Sequence, residues 1–116
     1  MASQMVKFTV TTGAPALQKI GPGNKQINVT GFTSTSDTTN ICYLKIWWQG
    51  NTNNIPVLGN TAPNVTFQIP ASTGLTKTFY SPLSNAGPCF ATVTKNASDT
   101  DQTALTGGAT ITIFIE

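Results

Sequence analysis

The sequence contains neither histidine nor arginine, and only 9% of its 116 residues are Asp, Glu, Lys or Arg, against about 25% in an average globular chain. The positive charges are Lys7, Lys19, Lys25, Lys45, Lys77 and Lys95; the acids are Asp37, Asp99, Asp101 and Glu116. Net charge is +2 and the lysines are scattered. Each absence excludes a class of chemistry. Without His, the usual zinc sites and imidazole acid–base catalysis are gone. Four acids leave little scope for a catalytic carboxylate pair. Without Arg there is no bidentate clamp for phosphate or guanine, and no basic stripe replaces it, so nucleic acid is not an expected partner. No apolar run approaches the roughly 20 residues that cross a bilayer, so no membrane partner is expected either. Met1-Ala2-Ser3-Gln4 lacks the basic start and apolar stretch of a secretion signal. The chain is therefore expected to be made in a cytoplasm and to stay soluble. No nucleophile–base pair, phosphate-cradling loop or metal-ligand spacing is present. No catalytic residue, cofactor or metal is expected.

Polarity comes instead from Thr, Asn, Ser and Gln, 44 residues in all, 21 of them Thr. A low-charge, Thr-rich surface suits an extracellular or particle-surface β protein. The length fits one domain, residues 1–116, with a single core. The chain reads as strands between turns. Residues 5–10 alternate, with Val6, Phe8 and Val10 on one face. A weaker candidate at 17–20 precedes the turn Gly21-Pro22-Gly23-Asn24. Residues 27–32 follow, then a polar loop over 33–40. Residues 41–48 are the most apolar segment and carry bulk on both faces, as a central strand or one with an interface face does. The connection over 49–64 is long and turn-rich, which implies a functional or packed loop. Further strands are expected at 65–69, 75–80 and 89–94, with loops at 81–88 and 95–106. A closing strand follows Gly107-Gly108, with Ile111, Ile113 and Ile115 on one side. About eight short strands and no helical period predict an all-β fold: a single antiparallel β-sandwich, jelly-roll or immunoglobulin-like.

Four features are candidate sites. Cys42 and Cys89 read as buried thiols, or as a disulfide if both face one core layer. Asp99 and Asp101 could share a calcium ion, but nothing nearby supplies the six to eight oxygens it requires, so a loop with Asx turns is the expectation. Trp47 and Trp48 must face opposite ways on a strand, one into the core and the other to a subunit contact or a sugar ring. Asn28, Asn64 and Asn96 begin glycosylation sequons that the Asn- and Thr-rich composition explains by chance.

From Cys42 onward the turns form a pattern. Tyr43-Leu44-Lys45-Ile46 leads to Pro56-Val57-Leu58-Gly59-Asn60-Thr61-Ala62-Pro63. Val65-Thr66-Phe67-Gln68-Ile69-Pro70-Ala71 comes next. Ala97-Ser98-Asp99-Thr100-Asp101-Gln102-Thr103-Ala104 then precedes Gly107-Gly108 and the Ile-rich end. Over roughly the C-terminal two thirds this resembles small virion proteins of tailed bacteriophages. The adjacent Trp47-Trp48 departs from the single aromatic more usual there. The resemblance implies a capsid decoration (cement) protein, bound outside the assembled capsid and formed in the host cytoplasm. Its partners would be the major capsid protein and itself, as a homotrimer. The contact would be sought at Val6, Phe8, Val10, Trp47, Trp48, Pro56, Leu58 and Pro63, with residues 1–10 as an N-terminal arm strand reaching a neighbour. The competing expectations are a receptor-binding or fibre-tip module with lectin-like glycan recognition through residues 47–54, and a β-sandwich unrelated to virions.

Overall fold

The computed structural model describes residues 4–10, 17–20, 27–35, 41–48, 57–71, 74–85, 89–103, 105 and 107–115. Among these there are eight strands and no helix. They are β1 (Gln4–Val10), β2 (Gln18–Ile20), β3 (Ile27–Ser34), β4 (Cys42–Trp48), β5 (Val65–Ile69), β6 (Leu75–Asn85), β7 (Cys89–Thr94) and β8 (Ala109–Ile115). β-Branched and aromatic residues together make up most of them, as expected of segments that lie on a pleated, half-buried surface.

One sheet has the order β1-β8-β3-β6 and the other β2-β7-β4-β5. The pairs β1/β8, β2/β7, β3/β6 and β4/β5 are all antiparallel. The chain is thus folded in half, each strand of its first half lying against its counterpart in the second. The resulting ribbon rolls up, and β3/β8 and β4/β7 pair across the roll. This connectivity selects the jelly roll over the immunoglobulin-like alternative, in which consecutive strands A and B pair within one sheet.

Alternation places the core between the sheets. Phe8, Val10, Val29, Phe32, Ile111, Ile113 and Ile115 come from one; Ile20, Cys42, Leu44, Ile46, Ile69, Cys89, Ala91 and Val93 come from the other. Each large aliphatic or aromatic side chain buried here contributes roughly 1.5–3 kcal/mol. Between β5 and β6 the sandwich is closed by three rings. Phe32 and Phe67 have centroids 5.1 Å apart, Phe67 and Phe79 5.5 Å, and Phe32 and Phe79 6.3 Å.

Two expectations are corrected. Residues 4–10 are not a free arm: β1 pairs with β8 of the same chain from Gln4↔Ile115 to Val10↔Ala109. Its apolar face is used in its own core, where Phe8 and Val10 are buried. The loop expected from residue 81 is strand as far as Asn85, because β6 bulges. Gly31 faces Thr78 and Val29 faces Leu83, so Pro82 sits in the bulge, where no ladder N–H is required. Gly31 is needed there, since a Cβ would collide with the Lys77 carbonyl oxygen. Cys42 and Cys89 are the buried thiols expected: they share a core layer but form no disulfide. Cys89 lies opposite Trp48, six residues along β4 from Cys42. At about 3.3 Å per residue that is about 20 Å, far beyond the roughly 7 Å limit for a disulfide. The turn at 21–24 and the loop segments 36–40 and 49–56, including Pro56, lie outside the described residues.

Candidate interaction surface

Because β4 alternates, Tyr43, Lys45 and Trp47 point away from the sandwich core. The register adds Phe90, Thr92 and Thr94 of β7 to the same outer face. In a two-layer sandwich such a face meets water. Here Lys45, Trp47, Thr92 and Thr94 are 0% exposed and Phe90 only 9%. Two connections fold across them. The Trp47 indole N–H donates to the Thr61 carbonyl oxygen at 2.9 Å. The turn that presents Thr61 is tied by N–H groups of Asn60 and Thr61 to the Val57 carbonyl, at 3.0 and 2.8 Å. Gly59 within it has φ 88°, and a Cβ there would collide with the Gln102 side chain, so this turn touches the second connection.

That second connection is fastened by Lys45 and Asp101. The Lys45 ammonium donates to the Ser98 carbonyl oxygen at 2.5 Å. Burial lowers the Lys45 pKa, and the nearby Asp101 and Asp99 only partly offset this. The Asp101 carboxylate accepts from the Asn96 backbone N–H at 3.0 Å, the Asn96 side-chain amide at 3.1 Å and the Thr103 hydroxyl at 2.6 Å. Burial works to raise the Asp101 pKa, but the Thr103 and Asn96 hydrogen bonds outweigh it and hold the carboxyl below its ordinary range. Asp101 therefore organises a turn. Among the described residues no group of three His, Cys, Asp or Glu could hold a metal. Burial pushes the Cys89 thiol up to about 12, so no thiolate nucleophile forms at neutral pH.

The residues expected at an interface do not converge. Phe8 and Val10 are interior, and Trp47 is sealed beneath the 57–64 connection. None of the three can contact a partner without opening the fold, which corrects their assignment. Val6 and Trp48 are half-buried and pack on the core between the sheets. Leu58 and Pro63 are half-buried on the cover over Trp47. The Trp48 backbone N–H donates to Asn64 Oδ1 at 2.9 Å, which ties the end of β4 to the start of β5.

The surface that is open is the outer face of the other sheet. Its rows run Met5, Phe114, Gly31, Thr78 and Lys7, Thr112, Thr33, Thr76. A third begins with Thr9 and Thr110, and the Thr35 N–H donates to the Thr110 carbonyl at 2.9 Å to extend it. Hydroxyls of neighbouring strands touch at 3.3 Å (Thr9, Thr110) and 2.9 Å (Thr33, Thr76). Met5 is 71% exposed and Lys7 is the one charge in these rows. A search for aromatic anchors overlooks such a surface. The sequence signal for it is threonine at period two on several strands: 33 and 35, 76 and 78, 110 and 112. No protein-family model, curated protein or solved structure matches the chain.

Proposed function

We propose that the chain is a non-enzymatic structural protein of a phage virion, a capsid decoration (cement) protein that binds the outside of the assembled capsid as a homo-oligomer. The observation that carries the reading is the open threonine face: a rigid sheet, nearly free of charge, whose partner surface need supply only shape and hydrogen bonds. The turn pattern that resembles phage virion proteins supports it. Jelly rolls also serve lectins and enzymes, so the architecture alone does not choose. The reactive groups, Lys45, Asp101 and Cys89, are engaged in loop closure or held protonated by burial. A glycan-binding tip would need an exposed aromatic platform; Trp47 is at 0% exposure and Trp48 is half-buried against the core.

The mechanism is linkage. A protein that binds only the assembled lattice stabilises it by RT ln(1 + [L]/Kd), about 2.7 kcal/mol at a hundredfold excess over Kd. With few charges at the contact, affinity should change little with salt. The test is copy number relative to the major coat protein, by quantitative mass spectrometry of purified particles. A count comparable with the coat protein is expected. A handful of copies would move the chain to the tail or fibre, and absence from particles would overturn the reading.

A further inference from the structure

Among the described residues, each sheet ends in strands paired on one side only: β1 and β6 in one, β2 and β5 in the other. Such edges present backbone N–H and C=O groups that template pairing with another chain. Three of the four carry a feature that discourages it. β1 has Lys7 at its midpoint, so twofold pairing with a second β1 would set two lysines face to face. β2 has three residues, one of them Lys19. β6 bulges between Thr78 and Leu83, and its Lys77 leans over the Phe67 ring, 5.6 Å from the centroid. β5 carries none of these in its own residues, though Lys77 of β6 sits over its Phe67 ring. It reads Val-Thr-Phe-Gln-Ile, without charge or proline, and its register against β4 is regular throughout.

β5 is also self-complementary. Antiparallel pairing about a twofold axis at Phe67 sets Val65 against Ile69 of the second copy, and Thr66 against Gln68. Residues 65, 67 and 69 then stay on the core side and 66 and 68 on the outer side, because the side-chain period is two. The core beside this edge is incompletely covered, since Val65, Phe67, Leu75 and Phe79 are only partly buried. We infer that β5 is a homotypic docking edge at which two copies of this chain join. The joint merges two β2-β7-β4-β5 sheets into one continuous sheet and covers the half-exposed flank of Val65 and Phe67. The contact is isologous and closes on itself. It does not depend on the virion reading, and it gives a dimer where the resemblance implies a trimer.

The test is sedimentation equilibrium of the full chain over a concentration series, with circular dichroism as a control for folding. A reversible dimer is expected. Thr66 and Gln68 point away from the core, beside Lys45 and Tyr43 of β4, so both variants carry the same new lysine next to Lys45 and differ only at position 68. T66K/Q68K places lysine opposite lysine twice and should weaken dimerisation about tenfold. T66K/Q68E places lysine opposite glutamate twice and should restore it. A monomeric or trimeric wild type, a T66K/Q68K variant that dimerises as tightly as wild type, or no recovery in T66K/Q68E would each overturn the docking edge. A trimer would leave the cement reading standing. A β5 dimer that is absent from particles would overturn that reading and keep this one.

Discussion

The two sheets have the same number of strands and opposite outer surfaces. On β2-β7-β4-β5 the outward residues Lys45, Trp47, Thr92 and Thr94 are wholly buried. On β1-β8-β3-β6 the outward residues Met5, Lys7, Thr9, Thr76 and Thr78 are exposed. Strand chemistry prepares the difference, since one face carries Trp47 and Phe90 and the other threonines. Loops complete it. The connections over 57–64 and 95–103 both fold onto the first sheet, and they touch each other where Gly59 meets Gln102. The lesson is that which face of a strand is buried depends on chain far from it in sequence. Among the described residues, the centre of one outer face is sealed and that of the other is not.

Removing the centre of the covered face should have the largest effect. Trp47→Ala is expected to cost about 3–5 kcal/mol of stability in urea denaturation, the range for a buried aromatic. A loss below about 1 kcal/mol would mean that the 57–64 cover does not seal the sheet. The second cover should give way with acid. Asp101 has a lowered pKa in the fold, so its ionised form stabilises the native state. That contribution is fully present above the unfolded carboxylate pKa of about 3.9 and is lost as pH falls through the lower folded value. Asp101→Asn should therefore cost about 1 kcal/mol at neutral pH, a modest figure because the carboxylate is half exposed. The wild-type and variant curves should converge once pH has fallen through that lower folded value. A gap that persisted there would show that the turn is held by other groups. The open face should be the least sensitive. Thr33→Val and Thr112→Val should change stability by no more than about 0.5 kcal/mol, while Thr112→Lys should reduce binding to purified capsids. Unchanged capsid binding by Thr112→Lys would remove this face as the contact.

Much of the fold was legible because alternation fixes strands locally. Each expected strand has its counterpart, β3 and β6 running on into residues read as loop, and Phe8, Ile69, Val93 and Ile113 face inward as their period-two runs require. Strand order was not legible. Pairings such as Gln4↔Ile115 join the two ends of the chain, and nothing local encodes them. The extension of β6 was hidden by Pro82, which reads as a loop until a bulge accommodates it. The candidate surface was the least legible part. Trp47 and Trp48 are equivalent in sequence, and only the Thr61 carbonyl and the 57–64 cover decide that Trp47 is the sealed one. The Asp99-Thr100-Asp101 run reads as a loop with Asx turns, and Asp101 accepts hydrogen bonds there from Asn96 and Thr103.

The contrast between a sealed and an open face can be measured on a single reporter. Trp48→Phe leaves Trp47 as the chain's one tryptophan. Its fluorescence should be blue-shifted and resistant to acrylamide quenching at neutral pH, as expected of an indole at 0% exposure beneath a hydrogen-bonded loop. Red-shifted emission that acrylamide quenches freely, in a variant that remains folded by circular dichroism, would contradict the covered sheet and with it the assignment of the threonine face as the open one.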